Sequence, residues 1–386
     1  MSNSAANPSG PSRKKHKRSR SSGELSVSEL GSLASALENI AREIKIVQAH
    51  GDWEDLEELH HLADTTDAVI KQIKRFQNLK NKDENVVIVS LSDVDKKILS
   101  ERLGMQETVV IRADSSLDVF SKKFTAAAAE DHFRSLDRIE RLITSWDPTF
   151  LFQTLSTVQH SINRKSEAAS RIAIDPWLLQ GMRLIQELDH ASTVLYPELL
   201  IWSRNSGTDD PPVVKHNNEV TYLAGSADYG LLSILPFHQK AASKDRVSKV
   251  LLEGENAVRG LHFFSDNDVL NVCEAKRVSK SLKAHEPQVI AECLAIIAKC
   301  NASRANDQRS LNHLAFTLTS GEVWIFGVVD AEKRECFRTA ELKLNMTDPK
   351  AVKHSTLRAL MMLIMIWNTQ PADIIKEAMT AYSNKN

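Results

Sequence analysis

The chain has little of what marks a secreted, membrane-spanning or zinc-ribbon protein. Four cysteines, Cys273, Cys293, Cys300 and Cys336, occur in 386 residues. None has a paired zinc-ligand spacing, and four are too few for a disulfide scaffold, which points to an intracellular protein with free thiols. No run approaches the ~18 apolar residues of a membrane helix. The most apolar stretch, 357–367, is short and carries Arg358, with His354 just before it. Residues 1–11 are polar, so no secretory leader is expected there. Also missing are a Walker A loop, a Gly-rich dinucleotide turn after a strand, a His-Glu-x-x-His helix and a Gly-x-Ser-x-Gly elbow. Kinase, oxidoreductase, zincin and serine-hydrolase chemistry therefore lack their motifs.

What is present fits a globular chain: 42% apolar and 26% charged residues, close to soluble averages, at a length suited to two or three domains. The charge is unevenly spread. The whole chain carries −1, yet residues 1–20 hold Arg13, Lys14, Lys15, Lys17, Arg18 and Arg20 and no acid, which leaves −7 for the remainder. A body of that sign does not coat nucleic acid by net charge alone. Residues 1–24 are Ser/Asn/Gly/Pro-rich and cannot bury a core, so a disordered basic tail is expected. Its block has the composition of a nuclear-import signal, and a nuclear location is expected, or a cytoplasmic one if the block carries no address.

Residues 25–80 read as a helical hairpin or coiled coil. Ser26 and Glu29 have capping-box spacing, and Leu30, Leu33, Leu37, Ile40, Ile44 and Val47 follow as an a/d seam. Gly51-Asp52 breaks it. Leu59, Leu62, Thr66, Val69, Ile73 and Phe76 then form a second seam. The pair is suited to fold back on itself, to self-associate or to take a protein partner. Residues 81–175 read as a mostly helical region with short strands at 86–89 and 109–111 and a helix over 92–103. Asp147-Pro148 and Asp175-Pro176 are helix-start signals, and a helix is expected from Trp177 to Asn205. Trp146, Trp177 and Trp202 are expected as packing anchors. A turn-rich break follows at 206–212.

Residues 176–386 read as an α/β domain. Strands are expected at 219–224, 229–235 and 269–276, a helix over 285–300, strands at 314–318 and 323–329, and closing helices over 352–367 and 371–382. The fold class is α+β: a helical N-terminal part, then an α/β sandwich around a mixed central sheet. Trp324 and Phe326 share a face of their strand and read as core.

Three ionisable residues stand out by position. Asp228 opens the second of those strands, after Gly225-Ser226. Glu274 and Lys276 end the third. Residues two apart on a strand share a face, so these two point the same way, at the exit of an apolar strand where unpaired polar groups are costly. If the strand bearing Asp228 is a neighbour, two carboxylates and an ammonium converge. Such oxygens suit Mg²⁺ or Mn²⁺, and with the lysine they can support metal-assisted phosphodiester hydrolysis.

At these residues the chain resembles the PD-(D/E)XK nuclease superfamily, the restriction-endonuclease-like fold, in a divergent form like that of some fungal families. Asp228 corresponds to the family's Asp, Glu274-Ala275-Lys276 to its D/E-X-K element, and Gln288 to the supporting Gln at the start of the next helix. Ala227 stands where the namesake Pro often stands, and 46 residues separate Asp228 from Glu274. Asp266 and Asp268 are rivals for the role of Asp228, and Glu198, expected on the preceding helix, is a candidate further ligand. The resemblance spans roughly 180–345. It implies an Mg²⁺-dependent nuclease acting on DNA or RNA, with Arg277, Lys280 and Lys283 gripping flanking phosphates. The alternative is an inactive nuclease-fold module serving as a nuclear nucleic-acid- or protein-binding adaptor through its N-terminal helices.

Overall fold

In the computed structural model the chain divides into two units, 1–78 and 79–386. The described residues are 33, 36–42, 64–67, 69, 70 and 73 in the first. In the second they are 86–106, 108–112, 116–128, 133, 136–163, 166–188, 192–203, 211–234, 268–278, 281–303, 310–344 and 352–385. The basic block 13–20 and half of each predicted seam lie outside them. The described residues of the first unit are helical, with Leu33 and Ile40 exposed and Thr66 and Ile73 buried.

Among its described residues the second unit holds ten strands: β1 (Val86–Ser90), β2 (Thr108–Ile111), β3 (Ser192–Trp202), β4 (Val213–His216), β5 (Glu219–Ile234), β6 (Val269–Ala275), β7 (His313–Thr319), β8 (Val323–Asp330), β9 (Glu335–Thr339) and β10 (Leu342–Lys343). They form one mixed sheet in the order β1-β5-β6-β7-β8-β9-β2, with β3 and β4 also on β5 and β10 on β8. The expected boundary at 175 does not match the division of the chain. Strands β1 and β2 come from the stretch 81–175, yet β1 pairs with β5 and β2 with β9, both in parallel. A strand of four or five residues has no stability alone, so it joins the nearest available edge.

Helices cover both faces. On one side lie α2 (Leu117–Ala128), α3 (Leu136–Ser145), α4 (Thr149–Ser161), α5 (Glu167–Glu187), α7 (His354–Thr369) and α8 (Ala372–Lys385). Their apolar residues join Tyr229, Cys273, Ala315, Trp324 and Phe326 in one core. On the other side, α1 (Lys96–Glu101) and α6 (Glu286–Ser303) pack against Leu232, Val272, Phe316 and Ile325. The alternation along each strand divides the two cores. Strand β6 is buried over its whole length, as expected for a central strand whose helix α6 leads over to its parallel neighbour β7. Trp177, Trp202 and Trp324 are fully buried, and Trp177 meets Trp324 edge-on.

Three expectations are corrected here. The predicted helix over 177–205 ends near Glu187, and residues 192–202 are strand β3; the β-branched and aromatic run there favours the sheet. Asp175-Pro176 does not start a helix. It lies inside α5, whose true cap is Ser166, with its Oγ accepting from Ala169 N at 3.1 Å. The strands predicted at 219–224 and 229–235 are one strand. Gly225 bends it instead of reversing it, with φ at 149°, where β5 exchanges its neighbours β1 and β4 for β3 and β6. Strands β4, β9 and β10 were not foreseen.

Candidate functional site

Asp228 is thus an interior strand residue. The last paired residues of β5 and β6 are Tyr229 and Cys273, so Asp228 and Glu274 stand opposite each other one step further on. In β3, Pro197 pairs with Tyr229 and Leu199 with Ala227, which sets Glu198 opposite Asp228 on the other side. Three acids therefore lie in a row across β3, β5 and β6. Glu198 is on a strand, not on the expected helix, and its φ of 55° is a left-handed value within that strand.

Like charges directly opposite destabilise a sheet, and the neighbouring groups compensate them. The Asp228 N–H donates to Glu274 Oε2 at 3.1 Å, and the Ala275 N–H donates to Asp228 Oδ2 at 2.7 Å. Lys276 Nζ donates to Glu274 Oε1 at 2.5 Å and to Glu167 Oε1 at 3.1 Å. Arg171 Nη2 is bonded to Asp228 Oδ1, and its Nη1 donates to Glu198 Oε1 at 3.0 Å. Glu167 and Arg171 are one helical turn apart at the start of α5, so both face the sheet. One turn further on, Asp175 Oδ1 accepts from the Tyr229 hydroxyl at 2.6 Å.

Helix α6 closes the other side. Gln288 Nε2 donates to Glu274 Oε1 at 2.7 Å and to Glu292 Oε1 at 2.8 Å. Glu292 is fully buried, and its Oε2 meets no hydrogen-bond partner among the described residues.

The electrostatics follow from burial and crowding. Burial and then the charge of Asp228 push the Glu274 carboxyl up to about 7, although Lys276 pulls the other way. Burial and then Glu274 push Glu292 well above the ordinary carboxylate range. Burial lowers the Lys276 ammonium, but Glu274, Glu167 and Asp228 outweigh it and hold its pKa above the usual lysine value. One oxygen each of Glu167, Asp228 and Glu274 lies within 4.8 Å of the other two. Hard-oxygen donors at that spacing fit a divalent cation of the Mg²⁺ or Mn²⁺ type.

Of the residues singled out in the sequence, Asp228, Glu274, Lys276 and Gln288 are brought together. Arg277 is half-buried just past β6, and Lys283 is exposed in the short 3₁₀ turn Leu282–Ala284. Lys280 and Asp266 lie outside the described residues, and Asp268 is buried before β6. Sequence reasoning missed Glu167, Arg171 and Glu292. Glu292 carried a legible signal, being an acid four residues after Gln288 within an apolar run. Glu167 and Arg171 carried none, because only the packing of α5 on the sheet brings them to Asp228. No family model matches the chain, and no curated protein matches it in sequence.

Proposed function

We propose that residues 79–386 are a divergent restriction-endonuclease-like domain and that the chain is a metal-dependent nuclease acting on nucleic-acid phosphodiesters. One observation carries this reading: the carboxylates of Glu167, Asp228 and Glu274 converge within 4.8 Å around the Lys276 ammonium. Asp228 and Glu274, with Glu167, would hold the cation, and their oxygens have lone pairs left after the hydrogen bonds described. When bound, such a cation polarises a phosphodiester and acidifies a water.

The chain's own groups do the rest. Lys276 Nζ donates hydrogen bonds toward the reacting oxygens and offsets charge as the water oxygen bonds to phosphorus and the ester oxygen leaves. Gln288 fixes the Glu274 carboxylate through Oε1. Arg277 and Lys283 would hold flanking phosphates of DNA or RNA.

The test is Mg²⁺-dependent cleavage of labelled DNA and RNA. Glu274→Ala is expected to abolish cleavage with its circular dichroism unchanged, and Lys276→Ala to lower kcat by about 10²–10³-fold. Undiminished cleavage by folded Glu274→Ala would remove the assignment. A second reading has its own support: Arg171 and Lys276 already satisfy the acids, as in a module that has kept the fold and lost the reaction. Nucleic-acid binding with no turnover in any divalent cation would favour it.

A further inference from the structure

Helix α6 buries an acid where an apolar residue would pack. Val289, Ile290, Cys293 and Leu294 around Glu292 are all buried, and among the described residues Glu292 Oε2 has no hydrogen-bond partner. Leaving a buried oxygen orphaned is costly, so a compensating role is called for. The contact that Oε1 makes is with Gln288 Nε2 at 2.8 Å.

That contact settles the direction of an amide. A Gln side chain can present either its NH₂ or its oxygen to a neighbour. Gln288 faces two carboxyl groups, Glu274 Oε1 at 2.7 Å and Glu292 Oε1 at 2.8 Å, and both bonds run from the same nitrogen. Both of its amide hydrogens are therefore committed. Without an acceptor at 292, one hydrogen is orphaned and the amide is free to turn its oxygen toward Glu274, where it would repel the carboxylate.

On the metal-site reading above, we infer that Glu292 is a positioning residue: it locks the Gln288 amide so that its nitrogen orients Glu274 as a ligand. Outer partners of this kind typically change metal affinity by about 10–100-fold.

The experiment uses the full chain and Mn²⁺ as the probe, with calorimetric titration of the wild type, Gln288→Ala, Glu292→Ala, the double variant and Glu292→Gln. Thermal melts confirm that each is folded. Glu292→Ala is expected to weaken Mn²⁺ binding by about 10–100-fold. The double variant should bind no more weakly than Gln288→Ala alone, because a residue acting through another is non-additive with it. Glu292→Gln keeps an acceptor oxygen and should restore most of the affinity. Additive losses, unchanged affinity in folded Glu292→Ala, or a Glu292→Gln variant as weak as Glu292→Ala would each overturn the assignment.

A second readout needs no metal. In metal-free protein carrying ¹⁵N-labelled glutamine, both side-chain amide hydrogens of Gln288 should exchange slowly, and Glu292→Ala should free one of them. A wild type that binds no Mn²⁺ would end the metal-site reading. The amide exchange would still decide whether Glu292 holds Gln288, and equal exchange in wild type and Glu292→Ala would refute that role.

Discussion

On the proposed metal-site reading, Arg171, which is bonded to Asp228 Oδ1, would compete with a divalent cation for that carboxylate. Removing the guanidinium leaves a buried carboxylate short of a partner, at a cost of about 1–3 kcal/mol. It also removes a positive charge from beside the proposed cation site. Arg171→Gln is therefore expected to lower the urea midpoint of the metal-free protein and to tighten Mn²⁺ binding, two opposite movements that a general packing defect does not produce. Glu274 gives the pH dependence. Its pKa in the folded protein, about 7, is raised from the ordinary 4.5. Between those values the folded state holds the proton more firmly than the unfolded chain does. The stability this group contributes is complete below pH 4.5 and is lost as pH rises through about 7. Melts of chelator-treated protein from pH 4.5 to 8 should fall over that window, and Glu274→Gln should flatten the fall. The Glu-Ala-Lys spacing was legible because period-two alternation fixes which side chains share a face. Glu167 and Arg171 were not, because nothing local in α5 marks a residue that meets another more than 50 positions away.

At the scale of elements, the site depends on how α5 begins and how β5 bends. Ser166 caps α5 and holds the first turn, which carries Glu167 and leads into Arg171 one turn on. Ser166→Ala should cost about 1 kcal/mol and weaken Mn²⁺ binding through fraying of that turn. Gly225 holds φ of 149°, and a Cβ there would meet Leu91 side-chain atoms at 3.1 Å. Gly225→Ala should cost about 1–3 kcal/mol in denaturant unfolding and disturb the approach of Asp228 to Glu274. The same two elements misled the sequence reading, for definable reasons. Proline is favoured at a first helical turn, but Pro176 is carried inside α5 by the burial of Ile174, Trp177 and Leu178 on both sides of it. Gly-Ser reads as a turn, yet an extended glycine with positive φ can also be a bend in one long strand. Strand β6, helix α6 and the β7–β8 hairpin were legible, since apolar run length and the Ser320-Gly321 turn both pointed the same way.

Across the whole second unit, the last helix is tied to the sheet by charge as well as by apolar packing. Lys376 of α8 is bonded to Asp330 Oδ2 at the end of β8 and lies over the Phe337 ring at 5.1 Å. His313 Nε2 is 3.2 Å from the same carboxylate oxygen. Burial pushes the Asp330 carboxyl up, but the Lys333 N–H, the Lys376 hydrogen bond and the His313 and Lys376 charges outweigh it and hold its pKa below the ordinary value. The stability it contributes is present above pH ~3.9 and is lost as pH falls through the lower folded value. Lys376→Met should cost about 1–3 kcal/mol by removing one charged partner of that buried carboxylate and should make acid unfolding shallower. The two parallel pairings of the sheet also bear on how the protein is made. Val86 waits for Val220, and Thr108 waits for Cys336, 134 and 228 positions later in translation. Those early strands leave the ribosome with no neighbour to zip onto, so the nascent chain exposes bare backbone edges until the later partner strands have been made. Slow maturation and dependence on holding chaperones are the expected biosynthetic signature.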